Sequence, residues 1–454
     1  MKPRSTKPRV AFVGLGYVGL STAVCLASRG FPVLGIDIDQ KKLDVIRRGE
    51  IPFHEQGLPS LLRQCVRMKS LSLSSSYRPL RSSEYIFITV GTPGRRDGAV
   101  DTSFVESSAG EIGRNLGEIG GKPVVVVKST VIPGTTLELV LPILEKESGK
   151  KAGTDFGLAV NPEFLHEGSA VKETFHPDAL VVGGFDRDST ESVVRFYREF
   201  YGRLPKTIRT SPANAELMKY AINSGRAVQL SFVNTVANVC SKVPGGDMDD
   251  VAKGLKVVAG MDERYLGAGL GFGGSCLSKD SRAFSSFARL VGVDEALVSA
   301  ALVVNLHQTD RAVGMAESLC GPLEGKKVAV LGLAFKANTD DIRESVSISL
   351  VKSLLSKHAE VSVYDPRAMS NAREVLGDGV RYANSAKDCL KGSECCFIAT
   401  GWKDFRRLGP KDFKSLMASP VVVDGRRIYD QGPFLRSGIR MLTIGTGPVP
   451  RHRQ

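Results

Sequence analysis

The sequence lacks the features that mark membrane, secreted and metal-stabilised proteins. No run of about 18 apolar residues occurs in the 454-residue chain, so we expect no membrane-spanning helix. The eight cysteines form no C-x-x-C pair and no histidines stand at zinc-finger spacing, which argues against a metal site or a disulfide framework. The basic N-terminus leads directly into an apolar stretch without a cleavage-site pattern. We therefore expect a cytoplasmic protein that is not held in a membrane and binds no metal.

Positive charge is abundant but is not gathered into blocks. Lysine and arginine number 61 against 48 acidic residues, giving a formal net charge of +13. Such an excess suits an anionic partner. No basic block and no zinc-finger or RRM signature is present, so we expect no nucleic acid partner. A nucleotide or a small phosphorylated substrate needs only a few of these charges.

The first part of the chain has the pattern of an α/β domain. A chain of 454 residues is too long for one hydrophobic core, so we expect two or three domains. Residues 9–38 contain an apolar run that ends in glycines, a helical segment, and a second apolar run that ends at Asp37. Further strand-like runs follow at 85–90, 124–129 and 157–160. These features predict a doubly wound domain.

A helical region separates this part from a second α/β unit. Residues 213–242 contain no proline and carry apolar residues at helical spacing, which predicts a long helix and offers a surface for a homodimer. Residues 326–366 repeat the strand pattern with a polar insertion at 335–345, the kind of loop that binds ligands in such sheets. We predict two Rossmann-like doubly wound domains joined by a long central helix, with domains over residues 1–205, 206–315 and 316–454.

The stretch GLGYVG at 14–19 matches the dinucleotide fingerprint G-x-G-x-x-G. It follows a strand-like run and opens a helix, and Asp37 ends the next strand-like run. An acid in that position accepts hydrogen bonds from ribose hydroxyls and repels a 2′-phosphate. We therefore predict an NAD site and favour NAD over NADP, although Lys42 nearby weakens that preference.

The stretch GFGGSCLSKD at 271–280 places a thiol directly after bare backbone. Glycines leave room for a ligand beside the chain. A cation at Lys279 favours the thiolate of Cys276, and a carboxylate at Asp280 can orient a water or take a proton. The alternative is a plain turn. The lysine and aspartate favour a reactive site.

Two other segments carry a high density of polar residues. The segment NPEFLHEG holds Glu163 and Glu167, which either begin an exposed helix or serve a site. Lys219 and Asn223 stand at i and i+4 and so share one helical face. They are either solvated or form a buried donor pair for an oxyanion.

Taken in order, these motifs resemble the UDP-glucose/GDP-mannose dehydrogenase family. The resemblance spans nearly the whole chain. It rests on GLGYVGL (14–20), VGTP (90–93), DGAVD (97–101), KSTVIPGTT (128–136), NPEFLHEG (161–168), AELMKYAIN (215–223), GFGGSCLSKD (271–280) and GLAFKANTDDIRES (332–345). Several motifs in the same order are far more specific than any one of them.

The resemblance implies a four-electron oxidation of the C6 alcohol of UDP-glucose to the carboxylate of UDP-glucuronate, with two NAD+ and no metal. The aldehyde cannot lose a second hydride until a nucleophile adds to its carbonyl, and a thiolate makes a thiohemiacetal that is oxidised to a thioester. The resemblance also implies that NAD binds the N-terminal domain and the uridine diphosphate the C-terminal one.

The family pattern assigns a role to each matching residue. Cys276 is the nucleophile, Lys219 and Asn223 stabilise the oxyanion, Asp280 and Thr130 hold a water, and Glu163 is the base for thioester hydrolysis. Cofactor contacts are assigned to Gly14, Gly16, Tyr17, Val18, Gly19, Asp37, Lys42, Thr92, Thr130, Glu167, Lys279 and Arg343. Substrate contacts are assigned to Glu163, Phe164, Leu165, Lys219, Asn223, Tyr265, Leu266, Gly267, Ala268, Gly269, Gly273 and Lys336.

The chain also departs from the family pattern. Ser278 replaces a proline of the cysteine loop, His166 replaces an arginine, and Arg264 is offset from an arginine that often precedes the loop. These departures leave GDP-mannose or another nucleotide sugar open as the substrate. Two other classes are a non-enzymatic nucleotide-binding protein and a two-electron 3-hydroxyacid-type dehydrogenase. The first would not need the thiol, lysine and asparagine, and the second needs neither a thiol nor a third domain.

Overall fold

The computed structural model describes residues 7–448. Residues 1–6, with most of the basic N-terminal stretch, and residues 449–454 lie outside the described part. The chain divides into two compact units, Met1–Ile222 and Asn223–Gln454. The boundary falls within one long helix, Pro212–Cys240.

The first unit is built on one sheet of short, apolar strands. Its strands are Val10–Val13 (β1), Val33–Ile36 (β2), Leu71–Ser74 (β3), Tyr85–Ile88 (β4), Val124–Val127 (β5), Gly157–Val160 (β6), Ala179–Gly184 (β7) and Lys206–Thr210 (β8). Their order in the sheet is β3-β2-β1-β4-β5-β6-β7-β8. The neighbours are parallel except β6 and β7. The carboxyl ends of β1, β4, β5 and β6 therefore meet at one edge, where ligands bind in such sheets.

Helices cover both faces of this sheet, which explains why its central strands are apolar without alternation. They are Tyr17–Ser28 (α1), Gln40–Arg47 (α2), Leu58–Met68 (α3), Ser103–Leu116 (α4), Leu141–Ser148 (α5), Ala170–Phe175 (α6) and Arg187–Tyr201 (α7). Two separate clusters of buried apolar side chains form the core. The long helix Pro212–Cys240 (α8) follows β8.

The second unit repeats this strand order in a smaller sheet. Its strands are Lys327–Leu331 (β9), Glu360–Tyr364 (β10), Arg381–Tyr382 (β11), Cys395–Ile398 (β12), Val421–Asp424 (β13) and Arg440–Thr443 (β14). They lie in the order β11-β10-β9-β12-β13-β14, and neighbouring strands are parallel. One buried apolar cluster joins this sheet to part of α8 and to the helices around it.

The helices of the second unit fall into two groups. Four precede the sheet: Met248–Ala259 (α9), Leu277–Leu290 (α10), Ala296–Leu306 (α11) and Gln308–Cys320 (α12). The others accompany the strands: Val346–Ser356 (α13), Met369–Leu376 (α14), Ala386–Leu390 (α15), Pro410–Leu416 (α16) and Gln431–Arg436 (α17). Among the helices of residues 7–448, none combines the length and the apolar character needed to cross a bilayer.

The predicted fold class is confirmed: two parallel α/β units joined by a long central helix. The helix predicted over 213–242 is observed at Pro212–Cys240. The serine cluster at 72–76 overlaps strand β3, which the sequence did not indicate. Helices α9 to α12 were also not predicted individually.

Candidate active site

The glycine turn after β1 has the shape that a dinucleotide needs. Gly14 has φ 96°, and a Cβ there would lie 2.8 Å from the backbone of Val90. A Cβ on Gly19 would lie 2.0 Å from the carbonyl of Gly14, so strand and helix pack too closely for any side chain. A Cβ on Gly16 would meet nothing within 4 Å, which leaves the backbone open to a ligand. The helix α1 begins directly after it without a side-chain cap, so its N–H groups can bind a pyrophosphate.

Asp37 lies where the ribose of such a cofactor would bind. Its Oδ2 accepts from the backbone N–H of Leu15 and from Nζ of Lys42, each at 2.8 Å, and its Oδ1 accepts from the N–H of Asp39. The carboxylate is buried and Lys42 is partly exposed. The residues present therefore fit NAD, and Lys42 is held by the acid itself.

Three further predicted residues of the first unit follow neighbouring strands at the same sheet edge. Thr92 comes after β4, Thr130 after β5, and Glu167 after β6. Thr92 is buried and the other two are half-buried. The strand order therefore places these residues along the edge that also carries the glycine turn.

Glu163 and Lys219 form a buried ion pair. Nζ of Lys219 lies 3.0 Å from Oε1 of Glu163 and 2.8 Å from the Glu163 carbonyl oxygen. Both side chains are less than a tenth exposed. Burial opposes ionisation of Glu163, but the two ammonium groups of Lys219 and Lys128 and the N–H of Leu165 outweigh it, so the pKa of the carboxyl is lowered. The alternative of an exposed helix start at Glu163 is thus wrong.

Lys128 belongs to this cluster, although we did not predict it as a site residue. It ends the apolar run VVVVK, is buried, and donates to Oδ1 of Asn161 at 2.9 Å. Burial lowers the pKa of Lys128 to about 8. A charged residue at the end of a buried strand was the available signal.

Glu55 is a second site residue that the sequence did not indicate. Its Oε2 accepts from the hydroxyl of Tyr17 and, at 2.7 Å, from the backbone N–H of Gly168. It therefore ties the start of α1 to the segment that carries Glu163 and Glu167. The contact joins parts of the chain that are far apart in sequence.

The thiol of Cys276 stands at the N-terminus of α10. Cys276 is exposed, whereas Cys320 is half-buried and the remaining cysteines are buried. The carbonyl of Cys276 accepts the N–H of Asp280 at 2.8 Å, so the helix begins at the thiol. The N-terminus of a helix stabilises negative charge, including that of a thiolate.

A buried polar network lies one turn into the same helix. Nδ2 of Asn223 donates to Oδ2 of Asp280 at 2.7 Å, and Nζ of Lys279 donates to Oδ1 at 2.6 Å. The Asp280 side chain is almost completely buried. Asn223 is buried too, so it is not a solvated surface residue. The ammonium of Lys279 pairs with Asp280, a partner that the sequence did not specify.

The segment before the thiol and the loop 332–345 both lie in the second unit. Tyr265 is buried under the guanidinium of Arg226, 4.9 Å from the ring centroid. In the loop 332–345, Nε of Arg343 donates to Asp341, and Nζ of Lys336 lies 5.4 Å from the centroid of the Phe335 ring. A Cβ on Gly273 would lie 2.2 Å from the carbonyl of Glu344, so this glycine permits close contact with the loop 332–345.

The three departures from the family pattern have simple structural settings. Ser278 lies in the first turn of α10 and is buried, at a position where a helix accepts either serine or proline. Nδ1 of His166 lies 2.9 Å from Oε1 of Glu173. Arg264 forms an ion pair with Asp262.

Comparison with known proteins decides the family. The NAD binding domain of the UDP-glucose/GDP-mannose dehydrogenase family matches residues 8–201, its central domain 213–307 and its UDP binding domain 329–431. A UDP-glucose 6-dehydrogenase of Haloferax volcanii is 37% identical over 92% of this chain and 96% of its own. This chain belongs to the UDP-glucose/GDP-mannose dehydrogenase family.

Other members of the family differ in the sugar that their names give. The solved structure of a UDP-glucose dehydrogenase from Pyrobaculum islandicum has a TM-score of 0.90 and 37% identity, and covers 98% of this chain and 100% of its own. A GDP-mannose 6-dehydrogenase of Pseudomonas syringae is 38% identical over 79% of this chain and 80% of its own. The predictions of an NAD-dependent oxidoreductase and of a nucleotide-sugar substrate are confirmed.

Proposed function

We propose that the protein oxidises UDP-glucose to UDP-glucuronate in two steps, with Cys276 as the covalent nucleophile. The choice of sugar is supported by the family's UDP binding domain, which matches residues 329–431. It is also supported by the more complete coverage of the UDP-glucose relative than of the GDP-mannose relative. We keep residues 1–205, 206–315 and 316–454 as the proposed domain boundaries.

The observation that carries the proposed mechanism is the exposed thiol of Cys276 at the start of α10, with a buried Asn223–Asp280–Lys279 network one turn away. A hydrolase or a simple alcohol dehydrogenase has no need of that arrangement. An aldehyde that must be oxidised again does need it, because the carbonyl has to gain a fourth substituent before it can lose hydride.

Bound NAD+ supplies the oxidant and accepts one hydride from C6 in each of two successive oxidations. In the first, a water held by Asp280 and Thr130 takes the hydroxyl proton as the alcohol becomes an aldehyde. The thiolate of Cys276 then adds to C6 to give a thiohemiacetal, whose oxyanion is stabilised by Lys219 and Asn223.

The second oxidation converts the thiohemiacetal into a thioester, and the same water takes the proton. Glu163 then removes a proton from an attacking water, the C–S bond breaks, and the carboxylate leaves as the Cys276 thiolate is restored. Each turnover converts one alcohol, one water and two NAD+ into one carboxylate, two NADH and three protons. The buried pair with Lys219 holds Glu163 ionised for this step.

The remaining predicted residues are proposed to bind the ligands. Those for the cofactor are Gly14, Gly16, Tyr17, Val18, Gly19, Asp37, Lys42, Thr92, Glu167, Lys279 and Arg343. Those for the nucleotide sugar are Phe164, Leu165, Tyr265, Leu266, Gly267, Ala268, Gly269, Gly273 and Lys336.

We further propose a homodimer that covers exposed apolar side chains of α8 to α11. Val257 and Val258 are 79% and 87% exposed, and Leu290 is 77% exposed. An apolar surface of this kind commonly marks a protein interface. Sedimentation of the wild type should give a dimer, and Val258→Glu should give a monomer. A monomeric wild type would exclude this assembly.

One assay tests the proposed reaction. Purified protein is supplied with NAD+ and either UDP-glucose or GDP-mannose, and the NADH formed per sugar consumed is counted. We expect two NADH per UDP-glucose, and Cys276→Ser should form no uronate while still binding both ligands. One NADH per sugar would exclude the thioester route, and faster turnover of GDP-mannose would exclude the proposed sugar.

A further inference from the structure

The segment that leads to Cys276 has no regular secondary structure to hold it. Between the short 3₁₀ turn Glu263–Tyr265 and the start of α10, the backbone forms neither a helix nor a strand. Backbone N–H and C=O groups in such a buried segment need partners from elsewhere in the chain. The residues that supply those partners fix the position of the thiol.

Asn305 supplies two of these partners from α11. Its Oδ1 accepts the N–H of Phe272 at 2.7 Å, and its Nδ2 donates to the carbonyl of Phe272 at 2.9 Å. The side-chain amide thus pairs with the backbone as a neighbouring strand would. Only an amide side chain offers a donor and an acceptor in this arrangement.

The bare backbone of Gly271 belongs to the same contact. Gly271 has φ 103°, and a Cβ there would lie 2.4 Å from Oδ1 of Asn305. A side chain at position 271 would therefore strain the backbone and push the amide away. The glycine and the asparagine are two parts of one clamp.

The opposite side of the segment is held by the loop 332–345. The N–H of Gly274 donates to the carbonyl of Arg343 at 2.9 Å, two residues after Phe272 and two before Cys276. Nη1 of Arg426 also donates to the carbonyl of Gly271 at 3.0 Å. With these contacts made, the remaining freedom of the segment is set by the clamp on Phe272.

We propose that Asn305 is a positioning residue that fixes the thiol of Cys276 without touching the substrate. The inference rests on the proposed role of Cys276 as nucleophile. Displacing a nucleophile by about 1 Å can lower the rate about 100-fold. Loss of the clamp should therefore lower kcat far more than it weakens ligand binding.

The test compares Asn305→Ala and Asn305→Asp with Ser299→Ala, a control on the same helix whose hydroxyl contacts Glu295. We expect kcat to fall about 10- to 100-fold in both Asn305 variants, with the KM for UDP-glucose and the Kd for NAD+ within about threefold of wild type. The aspartate variant is informative because it keeps the acceptor for the Phe272 N–H but places a carboxylate against the Phe272 carbonyl.

Amide hydrogen exchange, read by mass spectrometry on peptides covering 269–276, gives a measurement that does not depend on the reaction. Exchange should accelerate about tenfold or more in Asn305→Ala and stay unchanged in Ser299→Ala. A kcat within twofold of wild type in both Asn305 variants would overturn the proposal. So would a loss of kcat matched by equal losses of ligand binding and thermal stability. Uronate formation by Cys276→Ser would refute the proposed function and leave the exchange result interpretable.

Discussion

The two α/β units share a strand order but use the end of the second strand differently. In both, the first strand ends in a glycine with positive φ, 96° at Gly14 and 103° at Gly332. In the first unit α1 begins directly after the glycine turn at Tyr17. In the second unit the loop 332–345 intervenes before α13. One unit offers a helix N-terminus to a pyrophosphate, and the other offers a long polar loop.

The acids that follow the second strands differ in the same sense. The carboxylate of Asp37 accepts two backbone N–H groups and the Lys42 ammonium. The carboxylate of Asp365 accepts the N–H groups of its own turn and of the glycine turn, and also Nε1 of Trp402 at 3.0 Å. A carboxylate with so many donors has little capacity left for a ribose. The same position thus serves ligand binding in one unit and stability in the other.

The strongest test of this contrast is Asp365→Ala. Its removal leaves several buried donors unpaired, so we expect a loss of about 3–5 kcal/mol in the unfolding free energy. Asp37→Ala is the matched control and should lose about 1 kcal/mol or less. Urea denaturation followed by fluorescence measures both. Equal losses would remove the distinction between the two acids.

Asp37→Ala should instead affect the cofactor. Charge-assisted hydrogen bonds to ribose hydroxyls are worth about 1.5–3 kcal/mol, so the KM for NAD+ should rise about 10- to 100-fold. The KM for UDP-glucose should change little. An NAD+ KM within twofold of wild type would show that this acid does not bind the ribose.

Lys336→Ala should show the converse effect in the second unit. Loss of one ammonium contact to the nucleotide sugar should raise the KM for UDP-glucose about tenfold and leave NAD+ binding unchanged. Lys357→Ala, which removes an exposed lysine paired with Glu317, is the control. Steady-state kinetics distinguishes them, and an effect on NAD+ alone would contradict the assignment.

Lys42→Ala should give the smallest effect. The lysine is partly exposed and pairs with Asp37, so we expect a change in NAD+ KM of about two- to fivefold. Residual use of NADP+ should fall, because the nearest cation to a 2′-phosphate is lost. A gain in NADP+ use would contradict that reasoning.

Much of the fold could be predicted because its central strands are apolar runs bounded by glycines. Strand β8 could not, because KTIRT is largely exposed and carries no such run. Strand β3 could not either, because its LSLS is only partly buried at the edge of the sheet. Local patterns reveal strands that are buried on both faces and miss those at an edge.

The candidate site shows the same limit. Spacing alone placed Lys219 and Asn223 on one helical face and Asp280 one turn after Cys276. Lys128, Glu55 and Asn305 escaped notice because their partners lie far away in sequence. The direction of the Lys279 side chain, toward Asp280, also depends on the folded structure.

The link between the thiol segment and the loop 332–345 has a consequence for how the sequence can vary. The bond from Gly274 to Arg343 joins main-chain atoms, so many side chains at position 343 would leave it intact. Position 273 tolerates no side chain, since even one methyl group would collide with the carbonyl of Glu344. Mutational drift in this protein should therefore be permitted on one side of the contact and barred on the other.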